Sequence, residues 1–266
     1  MRTVILLCLA VLPAFAEGET PFPTGTSTQK HAGLEYTLIL PSDYDASKKY
    51  ALIIGLHGMN GKAANIAGIF SPLARHGFVV CAPQNSHPGW SQPGVDKAKE
   101  ILSHLIEKLS IDPDRLHGAA FSQGCGSLSS LVFDKKFHFI SASWSMGGSS
   151  GGKVPPWGKK EMGIIALVGS EDWGRGAAES TVKQFAKKVK IAECHIEQGV
   201  GHEFPSKLQP YHQYWLRVMD GWFEPGEVGF FDWQTDLDAA KKEMAAKKRG
   251  GLVYVYSKKD GEGAEA

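Results

Sequence analysis

Short apolar runs alternate with amphipathic segments along most of the chain. Residues 36–40 predict an early strand, and 51–56 and 78–82 predict buried ones, being apolar runs too short for helices. Between the last two, 63–75 has helical composition. In 95–109, Ala98, Ile101, Leu102, Leu105, Ile106 and Leu109 fall on one helical face, which predicts a helix lying on a sheet. Residues 116–121 predict a strand entering a helix near Gln123. Further strands follow at 139–144, 164–168 and 194–196, with helices at 177–189 and 208–222. Strands separated by helices imply an α/β fold, a mostly parallel central sheet with helices on both faces. In such sheets the ligand sits beyond the carboxyl ends of the strands, so chemistry is sought directly after each strand.

The two ends of the chain break this pattern. Met1 and Arg2 precede an apolar run at 4–12, then Pro13 and the small-residue flank Ala14, Phe15, Ala16. That run is too short to span a membrane, and its flanks match a secretory signal peptide cleaved after Ala16, so the expected location is secreted or periplasmic. A buried N-terminal strand is the alternative. Residues 17–33 are expected to be a linker, 34–224 the catalytic domain, 225–257 an extension and 258–266 a disordered tail. No later run reaches the roughly 18 apolar residues of a spanning helix, so no membrane span is expected.

Composition adds little chemistry of its own. Removing residues 1–16 takes one of the 29 basic residues and leaves 28 against 28 acidic ones, a balance with no footprint for nucleic acid or anionic lipid. Of the four cysteines Cys8 lies in the leader; Cys81, Cys125 and Cys194 read as packed thiols, with no spacing that suggests a metal site.

Four strand ends carry candidate chemistry. The first is Ala120, Phe121, Ser122, Gln123, Gly124, where a sharp strand-to-helix turn pushes the central side chain over the sheet and crowding demands small neighbours two positions away. Alone this match is weak, since such strings occur in ordinary turns; Gly126 is expected to let the helix pack closely. The second is the loop His57, Gly58, Met59, Asn60, Gly61. An acyl-transfer oxyanion needs two preorganised donors, which here are the backbone N–H groups of Met59 and Gln123. A plain glycine turn capped by His57 is the other reading.

The third and fourth are Gly169, Ser170, Glu171, Asp172 and Gly199, Val200, Gly201, His202. A serine hydroxyl is a poor nucleophile at neutral pH; it needs an imidazole to take its proton and a carboxylate to hold the imidazole. The chain order Ser122, Asp172, His202 suits that arrangement on this fold. Glu171 stands beside Asp172 as an alternative acid. The remaining histidines lack such a setting and are expected in surface or structural roles.

On these residues the sequence resembles the α/β-hydrolase group that includes polyhydroxybutyrate depolymerase-like, feruloyl-esterase-like and phospholipase/carboxylesterase-like enzymes. The resemblance runs over about 34–222, through the LHGMNG loop, Cys81 to Gln84 (CAPQ), Ile111, Asp112, Pro113, Asp114 and Arg115 leading into AFSQGCG, VGSED and GVGHEFP. Ala119 and Ala120 depart from it, standing where that group commonly has a polar residue and a glycine. The resemblance implies ester hydrolysis through an acyl-enzyme by a Ser122, His202, Asp172 triad, without metal or organic cofactor.

The substrate is less constrained: a small-molecule or polysaccharide-linked ester. Trp90, Trp144 and Trp173, with Trp157 and the nearby His57, are candidates for a binding platform at the catalytic end of the sheet, although a tryptophan at any of these places also fits the core. A peptidase or thioesterase would use the same triad, and a non-catalytic carbohydrate-binding relative would use only the tryptophans. Beyond Trp222, strand-like 230–233, a helix at 236–249 capped by Thr235 and a strand at 252–256 resemble the opening unit of thioredoxin-like domains, without a Cys-x-x-Cys pair. Nothing in the sequence fixes the oligomeric state.

Overall fold

The apolar run Tyr50–Leu56 (β3) is buried at every position, as a strand covered on both faces must be. In the computed structural model, which describes residues 22–85, 89–145 and 161–221, β3 lies inside a sheet ordered β1-β2-β4-β3-β5-β6-β7-β8. The other strands are β1 (Gly25–His31), β2 (Leu34–Leu40), β4 (Phe78–Gln84), β5 (Ile111–Phe121), β6 (Phe139–Ser145), β7 (Gly163–Gly169) and β8 (Ile191–Glu197). From β4 to β8 all neighbours are parallel, while β2 runs antiparallel to both β1 and β4. Leu52, Ile54, Val79, Leu116 and Ile164 form the centre of the core. Truncating one such leucine to alanine costs about 2–5 kcal/mol.

The helices are α1 (Ala63–Phe70), α2 (Gln92–Lys108), α3 (Gln123–Val132), α4 (Arg175–Phe185) and α5 (Gln209–Met219). The helix expected over 63–75 stops early. Pro72 turns its last part into a 3-10 segment, Ser71–His76, closed by Gly77 at φ 71°. In α2, Ala98, Ile101, Leu102 and Leu105 are buried, the face expected from their spacing.

The linker expected at 17–33 contains a strand. β1 pairs with β2 from Gly25↔Leu40 to His31↔Leu34, leaving a two-residue turn of Ala32 (φ 52°) and Gly33 (φ 74°). Positive φ at both positions is the turn twist that a tight hairpin prefers. β5 likewise starts earlier than expected, at Ile111, with a register irregularity before Leu52 and Leu116 pair.

Chain contacts divide the protein into Met1–Trp222 and Phe223–Ala266. The second unit lies outside the described residues, as do the expected leader, Trp157 and the tail. Among the described residues no helix is long and apolar enough to cross a membrane.

Candidate active site

From β3 the chain steps to β4 on one side, and β5 then begins the series on the other. The crevice at such a switch point opens at the carboxyl ends of β3 and β5. His57 to Gly61 follow β3 there, and Ser122 follows β5.

Ser122 has φ 51° and ψ −122°, a backbone conformation that a side chain rarely adopts. It is held by its own N–H, which donates to the Ser145 carbonyl at the end of β6 (2.9 Å), and by its carbonyl, which accepts from Cys125 as α3 begins (2.9 Å). Such a residue costs about 1–3 kcal/mol. The neighbours are fitted to it. A Cβ on Gly58 would come within 3.1 Å of Ser122 Cβ and 2.8 Å of Phe121 Cδ1, so only glycine lets the loop after β3 lie against the serine. Gly126, expected to permit close packing of α3, has open space around it. Gly124 has that role instead, facing the Leu56 and His57 carbonyls.

Ser122 Oγ lies 2.7 Å from His202 Nε2, and His202 Nδ1 lies 3.0 Å from Asp172 Oδ2. An ionised carboxylate only accepts, so Nδ1 carries the ring proton and Nε2 is free to accept from the serine hydroxyl. Asp172 is positioned by β7: its N–H donates to Gly169 O (3.2 Å), and its Oδ1 accepts from Gly174 N–H (2.7 Å). Its side chain is fully buried, whereas Glu171 is exposed. A Cβ on Gly169 would overlap the Val200 carbonyl, so glycine here lets the histidine loop close on the acid. The structure thus brings together Ser122, His202 and Asp172.

The expected binding platform is only partly present. Trp173 is 77% exposed and stacks on the His202 ring (centroids 4.9 Å apart, 28° between planes). Met59 is 60% exposed on the loop after β3. Trp144 is a correction: it is buried, stacked on Phe185, with its indole N–H donating to Cys125 O at 3.2 Å. Side chains alternate along a strand, and this one points into the α3 and α4 layer rather than out of the strand end. Trp90 and His57 are corrections of the same kind. Both are buried, and Trp90 Nε1–H donates to His57 O (2.8 Å), so neither offers a face to a ligand.

His57 is a structural hub. The Asn85 main-chain N–H donates to its Nε2 (3.1 Å), which fixes the proton on Nδ1, and Nδ1–H donates to Gly58 O (2.7 Å). Burial pushes the His57 pKa down, only partly opposed by the Gly58 hydrogen bond, so the ring is neutral. Asn85 was not singled out by the sequence. Its only signal was adjacency to the CAPQ stretch.

A second serine, histidine and aspartate lie together inside the molecule. His117, in β5, is 2.7 Å from Ser141 Oγ through Nδ1 and 3.2 Å from Asp220 Oδ1 through Nε2. Arg115 donates to both Asp220 oxygens, at 2.9 and 2.6 Å. Burial pushes the Asp220 carboxyl up, but the bonds from His117 and Arg115 outweigh it and hold the group below the usual carboxylate range. Ser143, two residues along β6, bonds His212 Nε2 at 2.7 Å.

Among the described residues no group of three or more His, Cys, Asp or Glu side chains is arranged to hold a metal; Cys81 and Cys125 are buried and Cys194 is half-buried. A depression of about 410 Å³ lined by Thr28, Glu35, Thr37, Lys62 and Gln84 lies on the β1–β2 side of the sheet, and none of Ser122, His202 or Asp172 lines it.

With its switch point, serine turn and three-residue relay, this is the α/β-hydrolase fold. Solved structures agree: a ferulic acid esterase from Anaeromyces mucronatus superposes with TM-score 0.57 at 11% identity, over 78% of this chain and 96% of that one. The feruloyl esterase module of Clostridium thermocellum gives TM-score 0.56 at 14% identity, over 77% and 89%. Among curated proteins, the probable feruloyl esterase C of Aspergillus niger is 32% identical over 127 residues, 44% of this chain and 47% of that protein. Feruloyl esterase C of Emericella nidulans is 28% identical over 168 residues, 56% and 62% respectively. The chain therefore spans about half the length of the curated relatives it matches. No family model matches the chain.

Proposed function

We propose that this chain is an exported serine hydrolase cleaving carboxylic esters through an acyl-enzyme. In this reading Ser122 is the nucleophile, His202 the general base and acid, Asp172 the orienting carboxylate, and the Met59 and Gln123 N–H groups the oxyanion donors. The observation that carries it is the 2.7 Å Ser122 Oγ to His202 Nε2 contact at a positive-φ turn. Strain at that one residue has a purpose if the hydroxyl must stand clear of the sheet.

The relay supports a balanced sequence of steps. Ser122 Oγ attacks the ester carbonyl carbon as its proton passes to Nε2, and the carbonyl electron pair moves onto oxygen, facing the two N–H donors. As that pair returns, the bond to the alcohol oxygen breaks and Nε2 gives the proton to the leaving alkoxide. Water then gives its proton to Nε2 and attacks the acyl carbon. Collapse breaks the bond to Oγ, which recovers the proton, and the acid departs. Asp172 remains ionised throughout and stabilises the imidazolium.

For the acyl group we favour a planar aromatic acid. Trp173 and Met59 are the large exposed apolar side chains among the described residues, and they rim the two loops beside Ser122. Several similar proteins are named for feruloyl esters. Export rests on the leader-like residues 1–16 alone.

The test is turnover of p-nitrophenyl acetate and methyl ferulate by the parent and by Ser122→Ala. Loss of the nucleophile is expected to lower kcat on the order of a millionfold. Equal turnover in parent and variant, or none in the parent, sinks the reading.

A further inference from the structure

We infer that Trp90, taken from sequence as a candidate substrate platform, is a positioning residue that ties together the two halves of the oxyanion hole; the inference rests on the reading of Ser122 given above. Trp90 spends both of its N–H groups on this. Its indole N–H donates to His57 O (2.8 Å), directly before the Gly58 to Met59 peptide, and its main-chain N–H donates to the Gln123 Oε1 (2.7 Å). One tie thus reaches the loop that carries the Met59 donor, and the other reaches the residue whose own N–H is the second donor. The Gln123 amide also points its Nε2 at Trp90 O (3.5 Å).

The ties belong to a closed circuit. Trp90 bonds His57 O, His57 Nε2 accepts from Asn85 N–H (3.1 Å), and the Asn85 side-chain amide donates to Gly89 O, one residue before Trp90. The two links through His57 are buried and the Asn85 to Gly89 link is partly buried; withdrawn from water, such bonds are costly to lose and hold geometry tightly.

The circuit acts on one peptide in particular. Gly58 O accepts from His57 Nδ1–H (2.7 Å) and from Gly61 N–H (3.0 Å). In a planar trans peptide the N–H of the next residue points opposite to that carbonyl. Two donors on Gly58 O therefore set the direction of the Met59 N–H, and Gly58 itself packs on Ser122 Cβ. Preorganised donors of this kind stabilise the transition state because they need no reorientation as charge develops.

The experiment compares parent, Trp90→Phe, which keeps an aromatic ring but lacks the indole N–H, and Gln123→Met, which keeps length but lacks the amide. Both leave the main-chain donors in place. With p-nitrophenyl acetate, whose small acyl group needs no aromatic platform, kcat is expected to fall about 10- to 100-fold with KM within about twofold, as a slight misplacement of preorganised donors does. Affinity for a boronic acid that adds to Ser122 should fall by a similar factor, while affinity for the free product acid should not. Unchanged kcat in both variants overturns the inference, as does a rise in KM alone, which would return Trp90 to substrate contact. If Trp90→Phe does not fold, Gln123→Met decides by the same criteria. A parent inert to esters overturns the reading of Ser122 and the inference with it, whereas an active parent matched by both variants overturns the inference alone.

Discussion

Ser122, Asp172 and His202, beyond the carboxyl ends of β5, β7 and β8, and Ser141 and His117 inside the sheet with Asp220 at the end of α5, are two assemblies of the same three side chains at similar distances. Their surroundings differ in every respect that matters for chemistry. Ser141 lies within β6, just after a register irregularity against β5, and is fully buried, while Ser122 stands in a strained turn with its hydroxyl at the rim. The imidazoles are reversed: His202 offers Nε2 to serine and Nδ1 to the acid, and His117 does the opposite. Asp172 is held by a main-chain N–H, leaving its charge to the imidazole, whereas Asp220 is shared with the Arg115 guanidinium. The lesson is that serine, histidine and aspartate in contact are a structural motif by default. They become a reactive centre only where an acyl group can arrive and oxyanion donors wait for it.

That contrast can be broken experimentally. Against the loss of about six orders of magnitude in kcat expected for Ser122→Ala, Ser141→Ala should leave kcat within about tenfold of the parent. A comparable loss from both would mean that the buried trio takes part in turnover. Asp220→Ala should reverse the pattern, costing about 3–5 kcal/mol in urea unfolding by stranding the partly buried Arg115, with turnover per folded molecule near that of the parent. Unchanged stability would show that the ion pair and its burial cost cancel.

Acid sharpens the comparison further. Burial pushes His212, bonded to Ser143, down to about 3, so the folded protein keeps it neutral while the unfolded chain protonates near the ordinary value of about 6.5. The stability tied to this ring is therefore present above about pH 6.5 and lost progressively as pH falls toward about 3. Melting temperature against pH should have a shallower slope over that window in His212→Gln than in the parent; parallel curves would refute the assignment. The smallest change in stability concerns the turn itself. Ser122→Gly should abolish turnover yet raise stability by about 1 kcal/mol, since glycine adopts positive φ without strain; a destabilised variant would mean the turn carries little strain.

Much of this architecture was legible because buried parallel strands announce themselves as apolar runs. β3, β4 and β7 and the face of α2 follow directly from such runs. The meeting of Ser122, Asp172 and His202 was legible through their places at strand ends, where this fold gathers its loops. What stayed hidden had no such signature. β1 reads Gly-Thr-Ser-Thr-Gln-Lys-His, a strand defined by its hydrogen bonds to β2 and not by any apolar face. In β6, the alternation Ser141, Ser143, Ser145 looks like a solvent face, yet all three are buried, and His117 and His212 cover the first two. Trp90 and Trp144 could not be sorted from Trp173, because position after a strand does not reveal which way an indole turns.

β1 also settles what a second molecule meets at that side of the sheet. Without it the outermost strand would be β2, Leu-Glu-Tyr-Thr-Leu-Ile-Leu, buried at six of its seven positions and offering an unpaired backbone on an apolar ribbon, the combination that recruits further strands and grows aggregates. β1 covers that ribbon with threonine, serine, glutamine and lysine, so a chain begun at Leu34, where the apolar pattern starts, would keep Ser122, Asp172 and His202 and lose its protection against self-association.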